Sequence, residues 1–137
     1  MLNLDHPPVY KYSSFRKFVP NEKHINRVSP EDVLVMVYDG VLRFHENGSL
    51  IEVQQGEYYL QRRGLLQEGR IPSSLPQYYY IHLIGDYSPS DHMLPIRGKF
   101  NLQDLMPLFT QLDKLQLFQG SIMEQTQLFY QILSVLN

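Results

Sequence analysis

The stretch VLVMVYDGVLRFHENGSLIEV, residues 33–53, decides the predicted fold class. Its first six residues, 33–38, are all apolar and rich in β-branched valine, which is typical of a strand covered on both faces. Residues 41–45 then alternate between apolar and polar side chains, which predicts a strand with one buried and one exposed face. Asn47-Gly48 suits a type I′ turn, so residues 50–53 are predicted to return as the partner strand of a hairpin.

Further strand patterns lie on both sides of this hairpin. The clearest are residues 57–61 and the aromatic residues 78–84, and weaker ones are residues 10–18 and 25–28. Gly, Pro and Ser are frequent in the connection formed by residues 63–76. Six or seven short, closely spaced strands predict a mainly β domain of the jelly-roll kind, either a sandwich or a barrel.

After residue 97 the apolar spacing changes to the period of a helix, which predicts two amphipathic α-helices at the C-terminal end. Asp104 is the expected N-cap of the first helix, because Pro107 would then be its third residue, where a missing N–H costs no intrahelical bond. The second helix is predicted to begin after Ser121, since Ser121 and Glu124 have the spacing of a capping box.

The apolar face of the second predicted helix requires a partner. This face consists of Ile122, Phe129, Leu133 and Leu136. One interpretation is a homodimer, in which the same face of a second copy covers it. The other is that the chain's own β portion covers it, and the sequence leaves both open.

Length and composition indicate one globular domain. The chain has 137 residues, 43% of them hydrophobic, which is enough for a single core. It has no cysteine, which excludes disulfides and thiolate metal sites and favours a cytoplasmic location. With 12 basic and 14 acidic side chains, the net charge of −2 argues against DNA binding by these residues alone. The sequence contains neither a signal-peptide pattern nor a segment apolar enough to span a membrane.

The aromatic strand contains the best candidates for a ligand site. Tyr78, Tyr80 and His82 share one face of this strand, and the alternate residues form the other face. Directed into a barrel, the first face would supply stacking surfaces, two hydroxyls and an imidazole to a small polar ligand. Tyr38, at the end of the central apolar strand, is a fourth candidate. Strand parity alone does not distinguish inside from outside, so the tyrosines could equally cover the outer surface.

The order of four motifs resembles the N-terminal sensor and dimerisation domain of AraC-type bacterial transcription regulators. These motifs are the apolar strand ending in Gly, residues 33–40; the strands joined by Gly56-Glu57, residues 50–59; the aromatic strand, residues 78–83; and Leu105-Met106-Pro107-Leu108-Phe109 before a second helix. The resemblance extends from about residue 25 to residue 137. The chain differs from the family pattern at Glu57, at Leu83 and at Arg62-Arg63-Gly64, where the family has Asp, Phe and a proline-containing turn.

The resemblance implies a specific organisation and function. Residues 20–100 would form a metal-free cupin-like β-barrel and residues 101–137 a helical dimerisation and linker region. Residues 1–19, which contain Tyr10, Tyr12, Phe15 and Phe18, are aromatic enough to form an arm over the barrel mouth. The barrel would bind a small effector such as a sugar. A helix-turn-helix domain outside these 137 residues would bind DNA in response.

The sequence contains no recognisable catalytic or metal-binding pattern. A metal cupin resembles Gly followed by five residues and His-x-His, whereas here His45 comes one residue early and is not repeated. Only Glu46 and Glu52 lie near His45 in the sequence, too few for a typical metal site. We therefore expect no metal, no cofactor and no enzymatic activity. Two alternatives remain, namely a metal-dependent cupin enzyme and a stand-alone cupin that binds a sugar or another small molecule.

Overall fold

The computed structural model describes residues 1–137 and is mainly β, with two helices at the C-terminal end, as the sequence predicts. Strands contain 44% of the residues and helices 23%. The elements are β1 (Leu2–Asn3), β2 (Val9–Lys17), β3 (Arg27–Val28), β4 (Asp32–Glu46), β5 (Ser49–Gln54), β6 (Glu57–Gln61), β7 (Leu66–Glu68), β8 (Ser74–Ile84), β9 (Met93–Leu94), β10 (Arg97–Lys99), α1 (Leu102–Leu117) and α2 (Ile122–Leu136).

Strand β4 organises the sheet, because its two halves pair with different neighbours. Its first half lies between β6 and β8, and its second half forms the predicted hairpin with β5 and also pairs with β7. Both residues of the hairpin turn, Asn47 and Gly48, have positive φ angles, which confirms the predicted turn chemistry. The pairing between β4 and β8 is irregular around Gly40, which has a φ of +70°. A Cβ at Gly40 would lie 2.4 Å from the backbone oxygen of Ser74, so this close approach of the strands requires glycine.

The sheet is open at its edges. One part of the sheet runs β2-β8-β4-β6-β10, and the other contains β5, β4, β7 and β3, with every pair antiparallel. The edge strands β2 and β3 do not pair with each other, so the hydrogen bonds do not close the strands into the ring expected of a barrel.

The two faces of β4 and β8 contribute to two hydrophobic clusters. The larger cluster lies between the sheet and the helices, where Leu34, Met36 and Tyr79 meet Phe109 and Phe129. The smaller cluster lies on the opposite, concave face and contains nine buried residues: Phe18, Val33, Val35, Val37, Leu42, Phe44, Val53, Tyr59 and Tyr78. The central strand is therefore covered on both faces, as its apolar run predicts.

The predicted separate arm at residues 1–19 is wrong for most of its length. Residues 9–17 form β2, which pairs with β8 along nearly its whole length, and β1 pairs with β9. The physical reason is that β4 occupies only one edge of β8, and β2 satisfies the backbone groups of the other edge. This segment is thus an integral part of the sheet.

The first helix begins earlier than predicted. Its N-cap is Asn101, whose side-chain Oδ1 accepts a 2.9 Å hydrogen bond from the backbone N–H of Gln103. Pro107 is therefore the sixth helical residue, and the helix lacks the bond that a residue there would donate to the Gln103 carbonyl. The cap at Asn101 and the packing of Leu102 against the core compensate for this loss.

The second helix has the predicted capping box. The Ser121 hydroxyl accepts a hydrogen bond from the Glu124 N–H, and the Glu124 carboxylate accepts one from the Ser121 N–H. Neither helix combines the length and the apolar composition that crossing a membrane requires.

Candidate ligand-binding site

A cavity of about 230 Å³ opens on the concave face of the sheet, beside the smaller hydrophobic cluster. Strands β2, β3, β4, β6 and β8 and the connection between β2 and β3 form its walls. The lining residues are Tyr12, Arg16, Phe18, Glu22, Lys23, His24, Ile25, Arg27, Val33, Val35, Gln61, Tyr78, Tyr80 and His82.

Strand β8 places Tyr78, Tyr80 and His82 together in this cavity. They lie opposite Val37, Val35 and Val33 of β4, whose side chains also belong to the concave face. The alternate residues, among them Tyr79 and Ile81, are fully buried on the helix side. Both faces of β8 are therefore covered, and of the two orientations that the sequence allows, the structure has the one with His82 on the cavity side.

Tyr38 does not belong to the cavity, so its proposed place beside the other three residues was wrong. It has the strand parity of Leu34 and Met36, which face the helices, and its ring lies edge-on to Phe15 at 6.1 Å. Regular alternation along β4 places Tyr38 on this face, opposite to the face of Val33, Val35 and Val37.

A β-bulge in β2 brings Tyr12 to the cavity. Tyr10 pairs with Leu83 and Tyr12 with His82, so Lys11 is an extra residue on this strand. The bulge leaves Tyr10 on the helix side and turns Tyr12 toward the cavity. The rings of Tyr12 and His82 stack with their centroids 4.2 Å apart.

His82 occupies the centre of a hydrogen-bonded chain. Its Nδ1 lies 3.1 Å from the Glu31 carboxylate, and its Nε2 lies 3.1 Å from the Tyr12 hydroxyl. Burial lowers the pKa of His82, whereas the hydrogen bond that its Nδ1–H donates to the Glu31 carboxylate opposes this shift. With neutral His82, Nδ1–H donates to Glu31, which leaves Nε2 to accept the Tyr12 proton.

A second buried histidine lies in the opposite wall. The Nδ1–H of His24 donates to the Ile25 carbonyl at 2.7 Å, so its Nε2 accepts the 3.1 Å hydrogen bond from the Gln61 amide. Burial lowers the pKa of His24 as well, with a small contribution from the positive charge of Arg27. These partners fix the orientation of both side chains at the cavity wall.

Positive charge predominates in the cavity lining. Of its three basic side chains, Arg16 pairs with Glu22, the only carboxylate among the lining residues. Arg27 and Lys23 form no ion pair, and the buried Nε of Arg27 has no hydrogen-bond partner. The cavity therefore offers uncompensated hydrogen-bond donors as well as aromatic surface.

The predicted dimer face lies mostly in the chain's own core. Phe129 and Leu133 are buried against the sheet and α1, and Leu136 packs partly on the same cluster. Ile122 alone is largely exposed, with 59% of its surface accessible. Of the two interpretations that the sequence leaves open, the structure shows the chain's own β portion as the partner of Phe129 and Leu133.

The sequence patterns did not predict most of the cavity-lining residues outside β8. Tyr12 reaches the cavity through a bulge, and His24, Arg27 and Gln61 come from segments that are distant along the chain. Arg27 stands in the weakly predicted strand at residues 25–28, and its partner in the sheet, Gln67 of β7, is 40 positions away in the sequence.

No group of three or more His, Cys, Asp or Glu side chains is arranged to hold a metal ion. The sequence matches no protein-family model, and no curated protein shows significant sequence similarity to it.

Proposed function

We propose that this chain is the ligand-sensing domain of an AraC-type transcription regulator with a cupin-like, jelly-roll arrangement of strands. The cavity on the concave face binds a small organic effector, and the two helices relay its presence to a DNA-binding domain outside residues 1–137. The observation that carries this proposal is that β2 and β8 line the cavity with one face and pack on the helices with the other.

Contacts on the helix side provide a route for the relay. Tyr79, between the cavity residues Tyr78 and Tyr80, stacks on Phe109 of α1 with the ring centroids 4.8 Å apart. Its hydroxyl lies 2.6 Å from the Ser13 hydroxyl, and Ser13 is adjacent to Tyr12 of the cavity. A movement of either strand at the cavity therefore changes contacts with α1.

A second set of hydrogen bonds connects Ser13 to the C-terminal end of α1. The Ser13 hydroxyl lies 2.8 Å from the Tyr10 hydroxyl, which donates a 3.1 Å hydrogen bond to the side-chain oxygen of Gln116. An effector shifts this arrangement only to the extent that it binds one conformation of the strands more tightly than another.

A thermal-shift screen of sugars and small metabolites tests effector binding, because a ligand of the folded state raises the apparent melting temperature. Tyr80→Phe and Tyr38→Phe form a matched pair, since neither hydroxyl bonds another protein atom and only Tyr80 lines the cavity. We expect Tyr80→Phe to reduce the ligand-induced shift and Tyr38→Phe to leave it unchanged. Equal effects of the two variants would contradict binding in this cavity.

Hydrogen exchange on the same complex tests the relay. We expect effector binding to change the protection of α1 amides as well as those of β2 and β8. Protection changes confined to the cavity would favour the stand-alone binding cupin. Metal that copurifies in stoichiometric amount, measured by elemental analysis, would favour the cupin enzyme.

Dimerisation of the regulator is also part of the proposal, although not through the buried residues Phe129 and Leu133. Exposed apolar side chains surround the α1–α2 turn, with Phe118 and Met123 the most accessible. We expect light scattering to show a dimer that Met123→Asp weakens. Because Met123 is exposed, this variant retains the fold, and a monomeric parent chain would contradict the proposal.

A further inference from the structure

The cavity contains three hydrogen-bonding groups that other parts of the protein do not satisfy. The buried Nε of Arg27 has no partner, and the hydroxyls of Tyr78 and Tyr80 form no hydrogen bond within the chain. Of the three, the Arg27 Nε is buried and has no partner, and an unsatisfied buried donor is most unfavourable when it belongs to a charged group. All three groups line the same cavity, so one ligand can contact them together.

The chemistry of these groups specifies the ligand atom that they fit. A guanidinium only donates, and its planar arrangement of N–H groups matches the two oxygens of a carboxylate. Burial raises the pKa of Tyr78 to about 12, so its hydroxyl keeps a proton to donate. The surrounding polar groups are already committed, since His82 bonds Glu31 and Tyr12 and His24 bonds Gln61.

The charges of the cavity lining also favour an anionic ligand. Glu22 pairs with Arg16, which leaves the half-buried Arg27 and the exposed Lys23 without a protein counter-ion. Glu31 binds His82 rather than Arg27. A charged group in a partly desolvated site gains most from a ligand of opposite charge.

We propose that the effector is a small organic anion whose carboxylate binds the Arg27 guanidinium and whose organic part lies against Tyr12, Tyr78 and Tyr80. This inference rests on the proposed function and adds the chemical class of the ligand. The carboxylate accepts hydrogen bonds from Arg27 and Tyr78, and the aromatic rings contact the remainder of the molecule. A single unpaired guanidinium, with Lys23 exposed, and a cavity of about 230 Å³ suit a small monocarboxylate better than a phosphate dianion.

Two matched series of compounds test the charge requirement. Benzoate, benzamide and phenyl phosphate share a ring, and glucuronate, glucose and glucose 6-phosphate share a sugar. We expect calorimetry to show binding of at least one carboxylate and at least tenfold weaker binding of its neutral counterpart. Tighter binding of a phosphate than of the matching carboxylate would contradict the assignment of a carboxylate.

Variants of Arg27 test the assigned group. Arg27→Gln should weaken carboxylate binding by about 10- to 100-fold, the effect of losing a hydrogen bond to a charged group. Arg27→Lys, which keeps the charge but loses the planar donors, should have an intermediate effect. Arg62→Gln is the control, because Arg62 is exposed and lies outside the cavity.

Acetate tests the same site even if the larger compounds do not fit. In NMR titrations at constant ionic strength, we expect acetate to shift the Arg27 Nε–H resonance saturably and acetamide to leave it unchanged. The absence of a saturable shift would overturn the inference. Cavity binding of glucose or benzamide that Arg27→Gln does not weaken would also overturn it, yet would leave the proposed sensing function intact. Acetate binding at Arg27 with no ligand-induced change in the amide protection of α1 would support the carboxylate site and contradict the proposed relay.

Discussion

Replacement of Phe109 by Ala tests the packing of α1 on the strands that line the cavity. The Phe109 side chain is completely buried, stacks on Tyr79 at 4.8 Å and meets Phe15 and Phe100 edge-on. A buried phenylalanine removes about 150–200 Å² of mainly apolar surface from water, which corresponds to about 4–5 kcal/mol at 25 cal/mol per Å². Measured Phe-to-Ala substitutions in cores cost about 3–5 kcal/mol, so we expect a loss of about 4 kcal/mol.

Phe118 provides a matched control at the end of the same helix, because 81% of its surface is exposed. Phe118→Ala should change the free energy of unfolding by less than about 0.5 kcal/mol. Urea unfolding followed by circular dichroism measures both variants, with tyrosine fluorescence as a second probe because the chain has no tryptophan. In thermal unfolding, Phe109→Ala should lower the melting temperature by about 8–16 °C. Equal losses for the two variants, or a loss below about 1 kcal/mol for Phe109→Ala, would refute the packing described here.

Three further predictions concern the backbone, a helix cap and the buried histidines. Gly40→Ala should destabilise the fold by at least about 2 kcal/mol in urea unfolding, because it combines a positive φ with a 2.4 Å approach to the Ser74 oxygen. The same substitution at Gly48, which has a positive φ but open space around it, should cost about 1 kcal/mol, and a reversed order would contradict the role of the close approach. Ser121→Ala should cost about 1 kcal/mol by removing the capping box, and no change in the urea midpoint would contradict this role of Ser121. Burial lowers the pKa values of His24 and His82 below the ordinary 6.5, so the unfolded chain binds more protons and stability should fall as the pH decreases from 7 toward 5. His24→Gln should reduce this dependence, and a stability that stays constant between pH 7 and 5 would show that neither histidine is held in its neutral form.

Local patterns predicted those elements of the fold whose decisive interactions join residues close together in the sequence. The apolar run in β4, the Asn47-Gly48 turn and the capping box at Ser121 each depend on residues within a few positions of one another. The start of α1 was predicted three residues too late, because the rule for Pro107 did not include the stabilisation provided by the cap at Asn101.

The candidate site was only partly predictable for the same reason. Periodicity placed Tyr78, Tyr80 and His82 on one face, and the structure shows that this face lines a cavity. The pairing of β8 with β4 places Tyr78 opposite Val37 and leaves Tyr38 on the other face, and this pairing, like the bulge at Lys11, is not visible in the local apolar pattern. Consequently Tyr38 was assigned to the site and Tyr12 was not.

The sequence by itself determined that the chain forms an antiparallel, mainly β domain followed by two amphipathic helices, because hydrophobic period, turn residues and caps act over a few positions. Only the tertiary structure decided that Phe129 and Leu133 pack in the chain's own core. It also decided which side chains, distant in the sequence, meet at the cavity. Those outcomes depend on packing and on hydrogen bonds between strands, where one extra residue such as Lys11 exchanges the two faces of the strand that follows. The unpartnered charge of Arg27 beside Tyr78 and Tyr80 is such an outcome, and no pattern in the sequence indicates it.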